Sequence, residues 1–240
     1  MKKIFDRLSI DPNTRVVLLT GAGEKAFTTG LDVQAATSSG PLSNMDGKDA
    51  MRTATALRRH IQGFQDCISS IERCEKPVIA ILHGYSIGLA VDICTAADVR
   101  LCTSSTQFAV KEVDIGLAAD IGTLSRLPKV VSSFSWVKDV CLSARTFGAN
   151  EALRVGLVSG VYESKDDAVK EGLKISAVIA SKSPVAVQGT KELLNWSLDH
   201  TTSDGLRYTS VWNSAALQSK DLSSAILSGL RRRTPTFEKL

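Results

Sequence analysis

The segment RVVLLT, Arg15–Thr20, is apolar from Val16 to Leu19 and ends at Gly21-Ala22-Gly23. An unbroken β-branched run of this length predicts a buried strand followed by a turn, not a strand with one wet face. From Ala50 to Cys74 the apolar positions Leu57, Ile61, Phe64, Ile68 and Ile71 recur at helical spacing, which predicts one long amphipathic helix. PVIAIL at Pro77–Leu82 predicts a second buried strand, punctuated by Gly84. IGLAVDICTAA then predicts a helix starting near Gly88. DVRLCT at Asp98–Thr103 and GLVSGVY at Gly156–Tyr162 predict a third and a fourth strand. Asp166–Ala180 and Pro184–Leu198 predict helices, with Pro184 suited to a first helical position. Strands alternating with helices predict an α/β domain with a mostly parallel sheet and crossover helices.

At 240 residues the chain suits one sizeable domain with a small helical appendage. Its 43% hydrophobic and 22% charged content is that of a globular protein, not a disordered one. No apolar run reaches the ~18–20 residues that span a bilayer, and the first residues do not read as a signal peptide. The net charge of +4 is modest, and the one tight basic cluster is Arg231-Arg232-Arg233. That triplet reads as a solvated tail, since phosphate-backbone sites spread along a face.

The five cysteines, Cys67, Cys74, Cys94, Cys102 and Cys141, form no Cys-x-x-Cys pair and predict buried reduced thiols. The three histidines, His60, His83 and His200, are too far apart for a local metal motif. Gly-x-Ser-x-Gly is absent, which argues against a Ser-His-Asp hydrolase. A Gly-x-Gly-x-x-Gly dinucleotide fingerprint is absent as well.

Two strand-to-helix junctions can carry chemistry: GAGEKAFTTGLDV at Gly21–Val33 and HGYSIGLAVD at His83–Asp92. Free backbone N–H groups at such turns suit a developing negative oxygen. A further stretch, QFAVKEVDIGLAADIGTLSRLP, puts Glu112, Asp114 and Asp120 among apolar residues. Each acid has an ordinary alternative. Asp92 can be an exposed helical aspartate, Glu112 can pair with Lys111 at the surface, and Asp120 can be a helix N-cap.

KAFTTGLDV, KPVIAILHGYSIGLAVDICTAADVR, FAVKEVDIGLAADIGTLSRLPKVV and ASKSPVAVQGTKELL together resemble the crotonase, or enoyl-CoA hydratase/isomerase, superfamily. The resemblance runs over nearly the whole chain from Arg15 onward. It is strongest to the Δ3,5-Δ2,4-dienoyl-CoA isomerases of fatty-acid β-oxidation. These carry Asp, Glu and Asp where Asp92, Glu112 and Asp120 stand; hydratases carry Glu at the first place and Gly at the last.

The resemblance implies a spiral of ββα units over residues 1–180 and a C-terminal helical trimerisation region over 181–240. It implies an acyl-CoA thioester substrate, no separate cofactor, no metal, and a homotrimer or hexamer. Glu112 is expected to take a proton at C2 and Asp120 to give one at C6, with the reverse order left open. Asp92 is expected to assist electrostatically. The backbone N–H groups of Leu31 and Leu89 are expected to form the oxyanion hole. Gly30, Leu31, Asp32, Val33, Gln34, Leu89 and Ala90 are expected to line the substrate and CoA site.

Two departures stand out. Family members commonly read Gly-Gly-Gly where this chain has Gly88-Leu89-Ala90, so Leu89 must fit without glycine's freedom. Relatives also carry an N-terminal strand hairpin ahead of the segment resembling MKKIFDRLSI, and this hairpin is missing from the sequence. On that basis Arg15–Thr20 is expected inside a sheet whose edge is left open, and the chain as written is expected to be poorly soluble. Glu238-Lys239-Leu240 resembles a peroxisomal Ser-Lys-Leu address, with the mitochondrion as the alternative. The rival functions are an enoyl-CoA hydratase, a Δ3,Δ2-enoyl-CoA isomerase, and a non-catalytic crotonase-fold scaffold.

Overall fold

The computed structural model describes residues 1–30, 49–230 and 232–240. Helix α1 (Lys2–Ile10) precedes β1 (Val17–Thr20) and β2 (Ala26–Thr28). The long helix α2 (Ala50–Glu72) leads into β3 (Val78–Leu82), β4 (Tyr85–Ile87) and the short α3 (Leu89–Thr95). Next come β5 (Val99–Thr103), β6 (Gln107–Ala109), a 3-10 turn at Glu112–Ile115, and helices α4 (Thr123–Val130) and α5 (Phe134–Ser143). Then follow β7 (Phe147–Gly148), α6 (Ala149–Val155) and β8 (Gly160–Tyr162). Helices α7 (Lys165–Ala180), α8 (Pro184–Ser197), α9 (Thr202–Ala216) and α10 (Lys220–Leu230) complete the order.

Among the described residues the strands form two sheets. One runs β1-β3-β5-β8 and the other β2-β4-β6-β7. Every neighbouring pair is parallel except β6 with β7. The four strands legible as apolar runs are the four strands of the first sheet. The last of them starts at Gly160, not Gly156. Gly156 adopts φ 85 as the left-handed end of α6, so its segment turns before it extends.

Among the described residues the first strand lies at the sheet edge, paired with β3 alone, and not inside the sheet as its two-faced apolarity predicts. The reason is packing on both faces. Val17 and Leu19 pack on the main core, while Val16 and Leu18 pack on a second cluster formed with Ile79, Ile81, Leu101 and Ala168. A run apolar on both faces therefore reports covered faces, not a neighbour on each side. Gly172 lets α7 lie close on this sheet, since a Cβ there would come within 2.9 Å of Ile81 Cδ1.

The long helix buries only its later part: Ile68, Ser70 and Ile71 are buried, while Phe64 is exposed. Asp49 caps its start by accepting from Arg52 N. Pro184 occupies the first turn of α8, as predicted, and Ser183 caps it. The cysteines are free thiols; Cys74, Cys94, Cys102 and Cys141 are buried and Cys67 partly so. Burial pushes Cys94 and Cys102 up to about 12, so both stay protonated and inert at neutral pH.

One ion pair docks α8 onto the first sheet. Lys191 Nζ donates to Asp98 Oδ2 at 2.7 Å and to the Lys76 carbonyl at 3.1 Å. The same Asp98 oxygen accepts from Val78 N at 2.7 Å. Burial still raises Asp98 above the ordinary carboxylate range, against the pull of Lys191. Removing only the lysine leaves that largely buried carboxylate without its counter-ion. Lys191→Met is therefore expected to cost on the order of 3 kcal/mol in urea unfolding. Adding Asp98→Asn should recover part of that loss. A single-variant cost indistinguishable from zero would show that α8 docks by apolar contact alone.

Candidate active site

The two strand-to-helix junctions come together because β2 and β4 are neighbours. Phe27 N donates to the His83 carbonyl at 2.9 Å, and Tyr85 N to the Lys25 carbonyl at 3.1 Å. At the other end of these strands, Gly30 faces Gly88: a Cβ on Gly30 would lie 3.7 Å from Leu89 N and 3.9 Å from Gly88 Cα. Gly88 itself adopts φ 55 and ψ −110, where a side chain is strained. Glycine is thus retained where the backbone demands it. Leu89 and Ala90 begin α3, and among the described residues only Ala144 and Arg232 have positive φ without being glycine. The loss of two glycines therefore costs the helix start nothing in backbone strain.

Glu112 joins this junction from β6. Gly88 N donates to the Ala109 carbonyl at 2.8 Å, which holds the strand end beside the helix start. A Cβ on Gly88 would lie 3.3 Å from Glu112 Oε1. The carboxylate therefore packs against Gly88 at the start of α3. Its Oε2 is buried without a hydrogen-bond partner. The surface-pair alternative does not hold: Lys111 Nζ bonds Asp114 Oδ2 at 2.9 Å instead. Burial raises the Glu112 pKa above its ordinary value, backbone N–H groups of Glu112 and Lys111 oppose this, and the charges of Asp92 and Asp120 add to it.

Asp92 is 1% exposed, which excludes the exposed-helix alternative. Its Oδ1 accepts from Thr123 N at 2.6 Å and from Thr123 Oγ1 at 2.8 Å. The first N–H of α4 is therefore capped from another helix, a role the sequence offered to Asp120. Burial raises Asp92 above the ordinary aspartate range, the two Thr123 bonds and Arg126 oppose it, and the Asp120 charge adds to the rise. Asp120 is exposed on the turn before α4. Leu31, Asp32, Val33 and Gln34, expected in the oxyanion and CoA sites, lie outside the described residues.

Chemically, this arrangement provides a helix start at Leu89, the half-buried Glu112 carboxylate packed against the residue before it, a second carboxylate buried in the same helix at Asp92, and a third exposed at Asp120. Such a set can stabilise an oxyanion and move protons on either side of it. A cavity of about 770 Å³ lies elsewhere. It is lined by Thr95–Arg100, the end of α4 and α8, and none of the three acids faces it.

Comparison with known proteins places this geometry. The family model described as enoyl-CoA hydratase/isomerase matches residues 1–239. The chain belongs to that family. It is 44% identical over 239 residues to the mitochondrial Delta(3,5)-Delta(2,4)-dienoyl-CoA isomerase of Mus musculus, covering 98% of this chain and 72% of that protein. It is 41% identical to the peroxisomal protein of the same name from Arabidopsis thaliana, covering 99% of this chain and 84% of that one. Among solved structures, the enoyl-CoA hydratase of Bacillus anthracis superimposes with a TM-score of 0.86 at 25% identity, over 99% of this chain and 86% of its own. The crotonase fold expected from the motifs is the fold of this enoyl-CoA hydratase/isomerase family member.

Of the residues the motifs singled out, the structure brings Gly30, Leu89 and Glu112 to the Gly88 junction and buries Asp92 in the helix that starts there. The motifs missed Thr123 and Arg126, which surround Asp92. No spacing signal marks these two, because their partners lie on other helices.

Asp92 yields a pH-dependent prediction. Its folded pKa is raised, so the native chain holds this proton more tightly than the unfolded chain. Stability contributed in this way is present below the unfolded pKa and is lost as pH rises through the folded one. Asparagine has no such dependence. Asp92→Asn should therefore match wild-type Tm near pH ~4 and gain on it toward pH ~7. Asp92→Ala leaves two Thr123 donors without an acceptor and should cost about 1–3 kcal/mol at either pH. Thermal melts across this range check both variants; a Tm gap between Asn and wild type that does not widen with pH refutes the assignment.

Proposed function

We propose that this chain is an isomerase that moves the double bonds of a 3,5-dienoyl-CoA to the 2,4 positions, serving fatty-acid β-oxidation. The observation that carries the reading is the Glu112 carboxylate packed against Gly88 at the start of α3, one of its oxygens buried without a partner, with Asp92 buried in the same helix. The relatives from mouse and Arabidopsis, which bear the isomerase name, support the same reaction.

The chemistry asks for this number of acids. Conjugated transposition removes a proton at C2 and adds one at C6, four bonds away, or about 4–5 Å. One carboxylate serves neighbouring carbons; two serve this longer transfer better. Glu112 takes the C2 proton, and its raised pKa makes it a stronger base than an ordinary carboxylate. The thioester oxygen, becoming an enolate, accepts the Leu89 N–H together with that of Leu31. Asp120 enters the step protonated, under cover of the bound acyl chain, and gives its proton at C6; once product leaves, the proton on Glu112 is released and Asp120 takes one up from solvent. Asp92 holds negative charge, or a proton, behind Glu112 and so tunes its affinity for the C2 proton. Gly30, Asp32, Val33, Gln34 and Ala90 complete the acyl-CoA site. Coenzyme A arrives as part of the substrate, and no separate cofactor takes part. Water addition, the hydratase reaction, has no use for Asp120.

Residues 181–240 form the trimerisation region in this reading, and their exposed Leu194, Leu206, Ile226 and Leu230 suit burial between copies. We place the protein in the peroxisome on Glu238-Lys239-Leu240, with the mitochondrion as the alternative; the Arabidopsis relative is named for the first compartment and the mouse relative for the second.

Growth of the 2,4-diene chromophore from a 3,5-dienoyl-CoA tests the reaction. Asp120→Asn should lower that rate by ~10²–10⁴-fold with acyl-CoA binding nearly intact. More than about half the rate retained would remove Asp120 from proton transfer.

Glu112→Gln should abolish both isomerisation and exchange of C2 deuterium with solvent. Exchange that persists at the wild-type rate while isomerisation stops would reverse the two acid roles. In the wild type, kcat/KM should rise with pH through a value above the ordinary glutamate range, because the base must be ionised and its pKa is raised.

A further inference from the structure

The turn Asp120–Gly122 belongs to no helix or strand, yet it is held at several points. Gln65, Ser69 and Glu72 on α2 are spaced four and three residues apart and share one helix face. Gln65 Nε2 donates to the Asp120 carbonyl at 2.6 Å. Arg126, in the first turns of α4, donates from Nη2 to Ser69 Oγ at 2.8 Å and to Glu72 Oε2 at 2.7 Å. Its Nε donates to the same Glu72 oxygen at 3.0 Å. The guanidinium lies over Gly122, where a Cβ would run into Nη1. Behind the turn, Thr123 is bound to Asp92, and Ala119 in front of it is buried.

This anchoring engages the backbone of the turn, whereas the Asp120 side chain stays exposed. Its charge is nonetheless felt at both Asp92 and Glu112. A carboxyl on an irregular turn can be aimed only if its main chain is held. A misplacement of about 1 Å at a proton-transfer group can cost ~10²-fold in rate.

We propose that Gln65 and Arg126 are positioning residues: from α2 and α4 they hold the Asp120–Gly122 turn so that the Asp120 carboxyl points at the far end of the diene. This inference rests on the isomerase reading above. It assigns to the polar face of α2 a part in the reaction that none of its residues performs by touching substrate.

Separating aiming from simple stability requires a readout that only aiming moves. C2 deuterium exchange depends on Glu112, and isomerisation depends on both acids. Gln65→Met removes one donor at an exposed site while keeping the helix. It should lower kcat for isomerisation at least about fivefold while KM, C2 exchange and Tm stay close to wild type. Arg126→Lys keeps the charge but loses the two-pronged grip, and should shift the same ratio of isomerisation to exchange. A Gln65→Met fall below about fivefold, or an equal fall in exchange and isomerisation, would falsify the proposal. If Arg126→Lys proves too unstable to assay, Gln65→Met decides alone. Wild-type protein that exchanges C2 deuterium but leaves the diene unmoved would overturn both this inference and the isomerase reading. Wild type that isomerises alongside an unaffected Gln65→Met would overturn the inference only.

Discussion

The Asp92 carboxylate, taken out of water and given the N–H and hydroxyl of Thr123, is the interaction on which the rest of the site depends. It costs desolvation, which raises its pKa, and it returns a cap for α4 and a fixed acidic neighbour for Glu112. Because the cap comes from α3, the start of α4 cannot shift relative to the Gly88 junction without breaking it. The Asp120–Gly122 turn is drawn into the same arrangement, since it directly precedes the capped residue. One buried acid thus couples the positions of the other two.

Around it, the second sheet acts as a frame for the backbone. Its strands are only two or three residues long. Their hydrogen bonds nonetheless place the end of β2 beside the end of β4, and the end of β4 beside the end of β6. Gly30, Gly88 and Glu112 follow those three ends. Parallel pairing puts like ends of strands together, so three segments far apart in sequence deliver their following loops to one place. Glycine at 30 lets its main chain lie close to the Gly88–Leu89 backbone, and glycine at 88 leaves room for the Glu112 carboxylate against it.

The first sheet and the C-terminal helices have a different task. Core side chains cover both faces of β1, and the Lys191–Asp98 pair ties α8 to the start of β3 and β5. These contacts rest on apolar burial and on one compensated ion pair. They set the rigidity against which the short strands of the second sheet are registered. Removal of charge from water raises the pKa at both Asp98 and Glu112; at Asp98 a lysine answers it and so ties α8 down, whereas at Glu112 only backbone N–H groups do.

By itself, the sequence determined the elements whose signal is local. Runs such as VIAIL and the helical spacing of α2, α7 and α8 are visible because burial repeats over many residues. They yielded the whole first sheet and four of the ten helices among the described residues. The acid pattern Asp92, Glu112, Asp120 was also legible, since the motifs around it pointed to one family. The tertiary structure alone decided the rest. Strands as short as β2, β4, β6 and β7 show no alternation, so only their partners define them. That β1 is an edge strand could not be read from VVLL, because apolarity records cover on the faces and not neighbours in the sheet. Nor could any spacing say that Asp92, rather than Asp120, caps α4, or that Gln65 and Arg126 grip the turn between them. Those bonds join residues 31 to 57 positions apart, and such pairings exist only once the helices have packed.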